Sequence, residues 1–141
     1  MTSITFYILK GRTEHDRQVF ACRLAAKAYH QGKKIYIHTE NEHNAAQMDQ
    51  ALWSFRADSF IPHEKMDEQQ HSDCPIIIGH QTEPPELMDL LINLAPTQPN
   101  FFSQFHRVAE FINDDDAIKT AGRQRYQFYQ HRGYELTTHT I

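Results

Sequence analysis

Lys119, Arg123 and Tyr126 stand at i, i+4 and i+7 near the end of the chain. On a helix that spacing puts all three on one side, so two cations and an aromatic ring meet on a single face. The chemistry on offer is capture of an anion with an apolar neighbour: the cations take its charged oxygens and the ring takes its apolar part. A Lys/Arg face on a helix is more often simply solvated, so the spacing by itself marks a candidate and no more. Trp53 and Phe60 are large aromatics, a type that is mostly buried, and by themselves they read as core packing.

The element that must position the first group is legible. Asp114, Asp115 and Asp116 open a segment that ends at Gly133. Aspartates favour the positive end of a helix dipole, and a glycine just past the last turn supplies the left-handed residue that ends a helix. The segment therefore reads as one amphipathic helix with an acidic start and a basic body. Gly122 inside it costs roughly 1 kcal/mol relative to alanine, which close packing would justify.

Upstream, Ile4 to Leu9 is an apolar, β-branched run and reads as a buried first strand, ended by Gly11. Between Glu14 and Gln31 the residues Val19, Phe20, Leu24, Ala25, Ala28 and Tyr29 recur at helical spacing, and Gly32 closes that helix. Lys34 to Thr39 gives a second strand and Asn44 to Ser54 a second helix. Strand, helix, strand implies a right-handed parallel crossover. Asp58 to Ser72 reads as a long polar connection. Strands follow at Ile76 to Ile78 and Leu87 to Leu94, each after a proline, then a loop from Pro96 to Asn100 and a short helix at Phe101 to Phe105. Arg107 to Ile112 is another strand, and Tyr134 to His139 an edge strand behind the basic helix. The layout predicts a single α/β domain over residues 1–141, with a mostly parallel sheet flanked by helices.

Composition bounds the function. A chain of 141 residues with a formal net charge of -4 suits one soluble domain and argues against a broad DNA-coating surface. No apolar stretch is long enough to span a membrane and no signal segment opens the chain, so a cytoplasmic protein is expected. Cys22 and Cys74 lack a CxxC context and read as reduced thiols. The 10 histidines are scattered singly, without HExxH spacing, so no metal site and no cofactor is expected.

A parallel α/β sheet could also belong to a small-molecule or nucleotide-binding enzyme, because such folds bind ligands at the carboxyl ends of their strands. The loop after the first strand, Leu9-Lys10-Gly11-Arg12-Thr13-Glu14, has one glycine where a dinucleotide loop needs three, and GxxxxGK[ST] and GxSxG are both absent. No nucleophile, base and orienting group assemble from the sequence. A direct DNA binder is the third class. Its affinity would fall steeply with salt, and the net acidity speaks against it.

The residues also carry a family resemblance. Ile4-Thr5-Phe6-Tyr7, Ala51-Leu52-Trp53, Ser59-Phe60-Ile61-Pro62-His63 and Arg123-Gln124-Arg125-Tyr126 with Gly133-Tyr134 occur in order along essentially the whole chain. In these motifs, and in their spacing, the chain resembles the chi subunit of bacterial DNA polymerase III holoenzyme. The resemblance implies an α/β fold that looks like a nucleotide-binding domain but performs no catalysis. It implies a connector that binds the psi subunit of the clamp-loader assembly and the C-terminal tail of single-stranded DNA-binding protein, which is acidic and ends in proline and phenylalanine with a free carboxylate, meeting DNA only indirectly within the nucleoid-associated replisome. Lys119, Arg123, Tyr126 and Gly133 match the family's tail-binding positions, and Trp53 and Phe60 match the positions that meet psi. An accessory iron-sulfur helicase is a lesser implied partner. Glu64 to Ser72 matches no functional element and reads as a variable loop.

Overall fold

The computed structural model describes residues 2–56, 60–66, 74–80, 83–84 and 88–141. Its strands are β1 (Ser3–Ile8), β2 (Ile35–Thr39), β3 (Glu64–Lys65), β4 (Ile76–His80), β5 (Leu90–Asn93), β6 (Arg107–Ile112) and β7 (Glu135–Thr140). The helices are α1 (Glu14–His30), α2 (Glu42–Ser54) and α3 (Asp116–His131), with one turn of 3-10 helix at Phe102–Gln104. Among the described residues the strands form one sheet in the order β3-β4-β2-β5-β6-β1-β7. Every pairing in it is parallel. The expected α/β architecture is therefore the observed one.

The sheet is buried on both faces, which is why its central strands read as continuous apolar runs rather than alternating ones. Tyr7, Ile35, Ile37, Ile78, Ile92 and Phe111 point to the face covered by α1 and α2. Ile4, Phe6, Tyr36, Leu91 and Val108 point to the other, under Phe102, Phe105 and the Tyr129 ring of α3. Thr13 and Asn41 cap α1 and α2 through their side-chain oxygens, so each helix starts where a capping residue meets the apolar period.

Two elements differ from the sequence reading. The polar connection after α2 contains β3, whose Glu64 and Lys65 pair with Ile77 and Ile78. Two residues of polar type carry no strand periodicity, and only the neighbouring edge of β4 makes them a strand. The run expected at Leu87 to Leu94 is a strand only over Leu90–Asn93. Met88 instead fills the α3 face of the core, and Leu87 lies outside the described residues. Part of the Asp58 to Ser72 connection, including Ser59 of the SFxPH motif, also lies outside them. The terminal strand is at the sheet edge, as its position behind the basic helix implied.

Candidate partner-binding surfaces

The position of α3 is set from its buried side. Asp115 is the N-cap, and its Oδ2 accepts from the Ile118 amide at 3.1 Å. At the other end Gly133 has φ +77 and the Tyr134 amide donates to the Tyr129 carbonyl at 3.1 Å, the left-handed stop that the sequence suggested. Gly122, Arg125 and Tyr129 face the sheet. A Cβ on Gly122 would sit 2.6 Å from Cγ1 of Ile112, so the glycine is the condition for the helix to lie this close to β6.

Beneath the helix lies a charged core. Glu110 on β6 is fully buried and accepts from three side chains: Arg125 Nε at 2.8 Å, Tyr129 Oη at 2.7 Å and Asn93 Nδ2 at 3.0 Å. Arg125 also donates through Nη1 to the Pro96 carbonyl at 2.9 Å. Burial, and then the Glu110 charge and hydrogen bond, hold the Tyr129 hydroxyl far above the ordinary tyrosine range. Ionic and hydrogen-bonded groups of this kind fix one rotational setting of a helix in a way apolar contacts do not.

That setting turns Lys119, Arg123 and Tyr126 roughly 100° around the axis from the buried stripe. Arg123 is exposed and, among the described residues, makes no ion pair, while Lys119 is half-buried with Nζ 3.9 Å from Oδ1 of Asp114. Tyr126 is half-buried and meets the Phe6 ring edge-on, centroids 5.2 Å apart. Phe6 pairs with Thr138 of β7, and Leu136 packs in the same apolar cluster as Tyr126. The three side chains thus share one helix face beside the last two strands. Gly133 lies just past the end of α3, where its φ of +77 suits a glycine.

Trp53 and Phe60 are placed quite differently. Trp53, in the last turn of α2, is 51% exposed and Phe60 is 69% exposed, so neither is a core residue. Their rings lie 5.4 Å apart, and His63 meets Trp53 edge-on at 4.7 Å. The His63 ring nitrogens face the Ile61 carbonyl at 2.8 Å and the Asp49 carboxylate at 3.3 Å, which holds the imidazole under the tryptophan. This aromatic patch lies where α2 packs against β3 and β4, the far edge of the sheet from β7. Six strand spacings separate the two edges, about 29 Å at the usual interval.

The third place to look is outside the carboxyl ends of the strands, where the enzyme reading would put a ligand. A cleft of about 230 Å³ lies there, lined by Arg17, Arg125, Glu14 and Glu40 among others. Its cations are engaged by protein: Arg17 donates to the Leu94 carbonyl at 3.0 Å and lies 3.5 Å from Glu14, and Arg125 is held by Glu110. Burial lowers the Arg17 pKa and raises that of Glu14. Among the described residues no three His, Cys, Asp or Glu side chains are grouped to hold a metal ion. Sequence reasoning missed the Glu110 network. The visible signal was Gly122, Arg125 and Tyr129 at i, i+3 and i+7, a stripe that alternates with the exposed one.

The parallel α/β sheet thus carries a basic-aromatic helix face beside one edge and an exposed aromatic pair at the other. The family described as DNA polymerase III chi subunit, HolC, matches residues 1–137, and the chain belongs to that family. It is 38% identical to the DNA polymerase III subunit chi of Pseudomonas aeruginosa over 141 residues, covering 100% of this chain and 98% of that protein. The Escherichia coli subunit chi is 32% identical over 145 residues, with 99% of each chain covered. That of Haemophilus influenzae is 34% identical over 137 residues, covering 96% of this chain and 95% of the other.

Proposed function

We propose that this chain, as one α/β domain, is a non-catalytic accessory subunit of the DNA polymerase III clamp-loader assembly. In this reading it links the psi subunit to the C-terminal tail of single-stranded DNA-binding protein, in the cytoplasm at the replisome. The observation that carries the proposal is the face formed by Lys119, Arg123 and Tyr126, with a guanidinium that makes no ion pair among the described residues beside a half-buried ring. Arg123 takes the terminal carboxylate of the tail, Lys119 supplies a second charge, and Tyr126 walls the recess for the final apolar side chain. Trp53 and Phe60 bind psi from the opposite edge, so the two partners can be held at once without competing for surface. Gly133 contributes by ending the helix rather than by touching the tail.

The test is a fluorescence-anisotropy titration with a labelled peptide carrying that tail, with and without its final phenylalanine. Binding should depend on the phenylalanine, and Arg123→Ala should weaken it by about 1.5–3 kcal/mol, the scale of a charge-assisted hydrogen bond. Equal affinities of the wild-type and Arg123→Ala proteins would refute the assignment of the site.

A further inference from the structure

The edge strand β7 borders a second groove, on the sheet face opposite to Lys119 and Arg123. Between β7 and α1 there is a depression of about 510 Å³ floored by Phe20, Leu24 and Tyr7. Arg23, Lys27 and Arg107 line it together with His139 and Ile141, and among the described residues no acidic side chain does. Arg23 and Lys27, at i and i+4 on α1, are exposed, and no carboxylate among the described residues pairs with either. Arg107 donates to the Tyr7 hydroxyl, and the His139 ring stacks on the Tyr7 ring at 5.7 Å. In a chain of net charge -4 this is a local concentration of positive charge over an apolar floor.

The strand itself is lightly guarded. Natural sheets blunt their edges with charged side chains, prolines, bulges or very short strands. β3, at the far edge, is two residues long, but β7 runs six residues, Glu-Leu-Thr-Thr-His-Thr, with neither lysine nor proline and one carboxylate, Glu135, at its start. Five of those six residues are exposed. The Ile141 amide donates inward to the Ile8 carbonyl at 2.9 Å. By the alternation of a strand, the N–H and C=O groups of Leu136, Thr138 and Thr140 then point outward, away from β1.

We infer that β7 and this groove accept an extended acidic peptide with apolar side chains, added to the sheet as a further strand. Backbone groups of Leu136, Thr138 and Thr140 pair with it, Arg23 and Lys27 take its carboxylates, and the floor of Phe20 and Leu24 takes an apolar side chain. Only a peptide uses all three features, since a nucleic acid strand offers cations their phosphates but cannot pair with a β edge. The site does not depend on the tail reading, because its cations lie on the other face of the sheet.

The experiment uses the full chain and a fluorescein-labelled peptide of Asp-Asp-Val-Val repeats, which as a strand presents both side-chain types on each face, with an oligothymidylate as the nucleic acid probe. Charge reversal of both exposed cations, Arg23→Glu with Lys27→Glu, should weaken peptide binding by about 20-fold, while Arg123→Ala changes it by less than about two-fold. Thr138→Pro removes one outward N–H and no ladder bond to β1, so it should also abolish binding while circular dichroism stays unchanged. Amide exchange should slow at Leu136, Thr138 and Thr140 when the peptide is bound. Absence of peptide binding, binding lost through Arg123→Ala instead, indifference to Thr138→Pro, or tighter binding of the oligothymidylate would each overturn the inference.

Discussion

Replacing Arg125 by methionine isolates the interaction that sets the face of α3. The substitution keeps most of the apolar stem but leaves the Glu110 carboxylate, fully buried, with only Tyr129 and Asn93 as donors. Breaking a buried ion pair from one side costs about 3–5 kcal/mol, because an uncompensated charge stays behind. With a urea slope of about 2 kcal/mol/M, the midpoint of unfolding should fall by roughly 1.5–2.5 M. Glu110→Leu strands the Arg125 guanidinium in the same way. The double variant Glu110→Leu, Arg125→Met strands neither charge, so it should be more stable than the sum of the single effects by about 2 kcal/mol or more. Urea titrations followed by far-ultraviolet circular dichroism on the four proteins close this cycle. Additivity within about 0.5 kcal/mol would refute the reasoning, since it would mean that neither single variant suffers from an isolated charge.

Phe60→Ala removes a ring that is 69% exposed, so stability should change by less than about 1 kcal/mol while binding of psi is lost; thermal unfolding and co-purification read the two separately. His38 is buried and its pKa is lowered from 6.5 to about 4, chiefly by desolvation and then by His80. A depressed imidazole pKa means that the unfolded chain binds the proton first. Its contribution is therefore full above pH 6.5 and is lost as pH falls toward about 4, by up to about 3 kcal/mol. His38→Gln should flatten that limb of the stability profile relative to the wild type. Burial pushes the Cys22 thiol up to about 12, whereas Cys74 is half-buried. A thiol reagent at neutral pH should consequently modify Cys74 in the native protein and reach Cys22 only after denaturation.

Local chemistry determined much of this molecule before any folding. The capped start of α3 at Asp115, its stop at Gly133, the parallel strands of unbroken apolar residues and the shared face of Lys119, Arg123 and Tyr126 follow from dipole, backbone and periodicity. These act over a few residues, so a sequence displays them. β3 could not be found that way, because Glu64 and Lys65 become a strand only through the backbone of Ile77 and Ile78. The exposure of Trp53 and Phe60 was equally undecided, since an aromatic residue beside a polar loop suits a core or an interface until the packing around α2 is known. Tertiary structure also decided which α3 residues are buried: Glu110, fifteen positions before Arg125, draws that arginine inward and leaves Arg123 to solvent. The groove of Arg23, Lys27 and Arg107 exists only because β6, β1 and β7 lie side by side, joining residues more than eighty positions apart. Contacts at that separation depend on strand order, which short-range propensity does not encode.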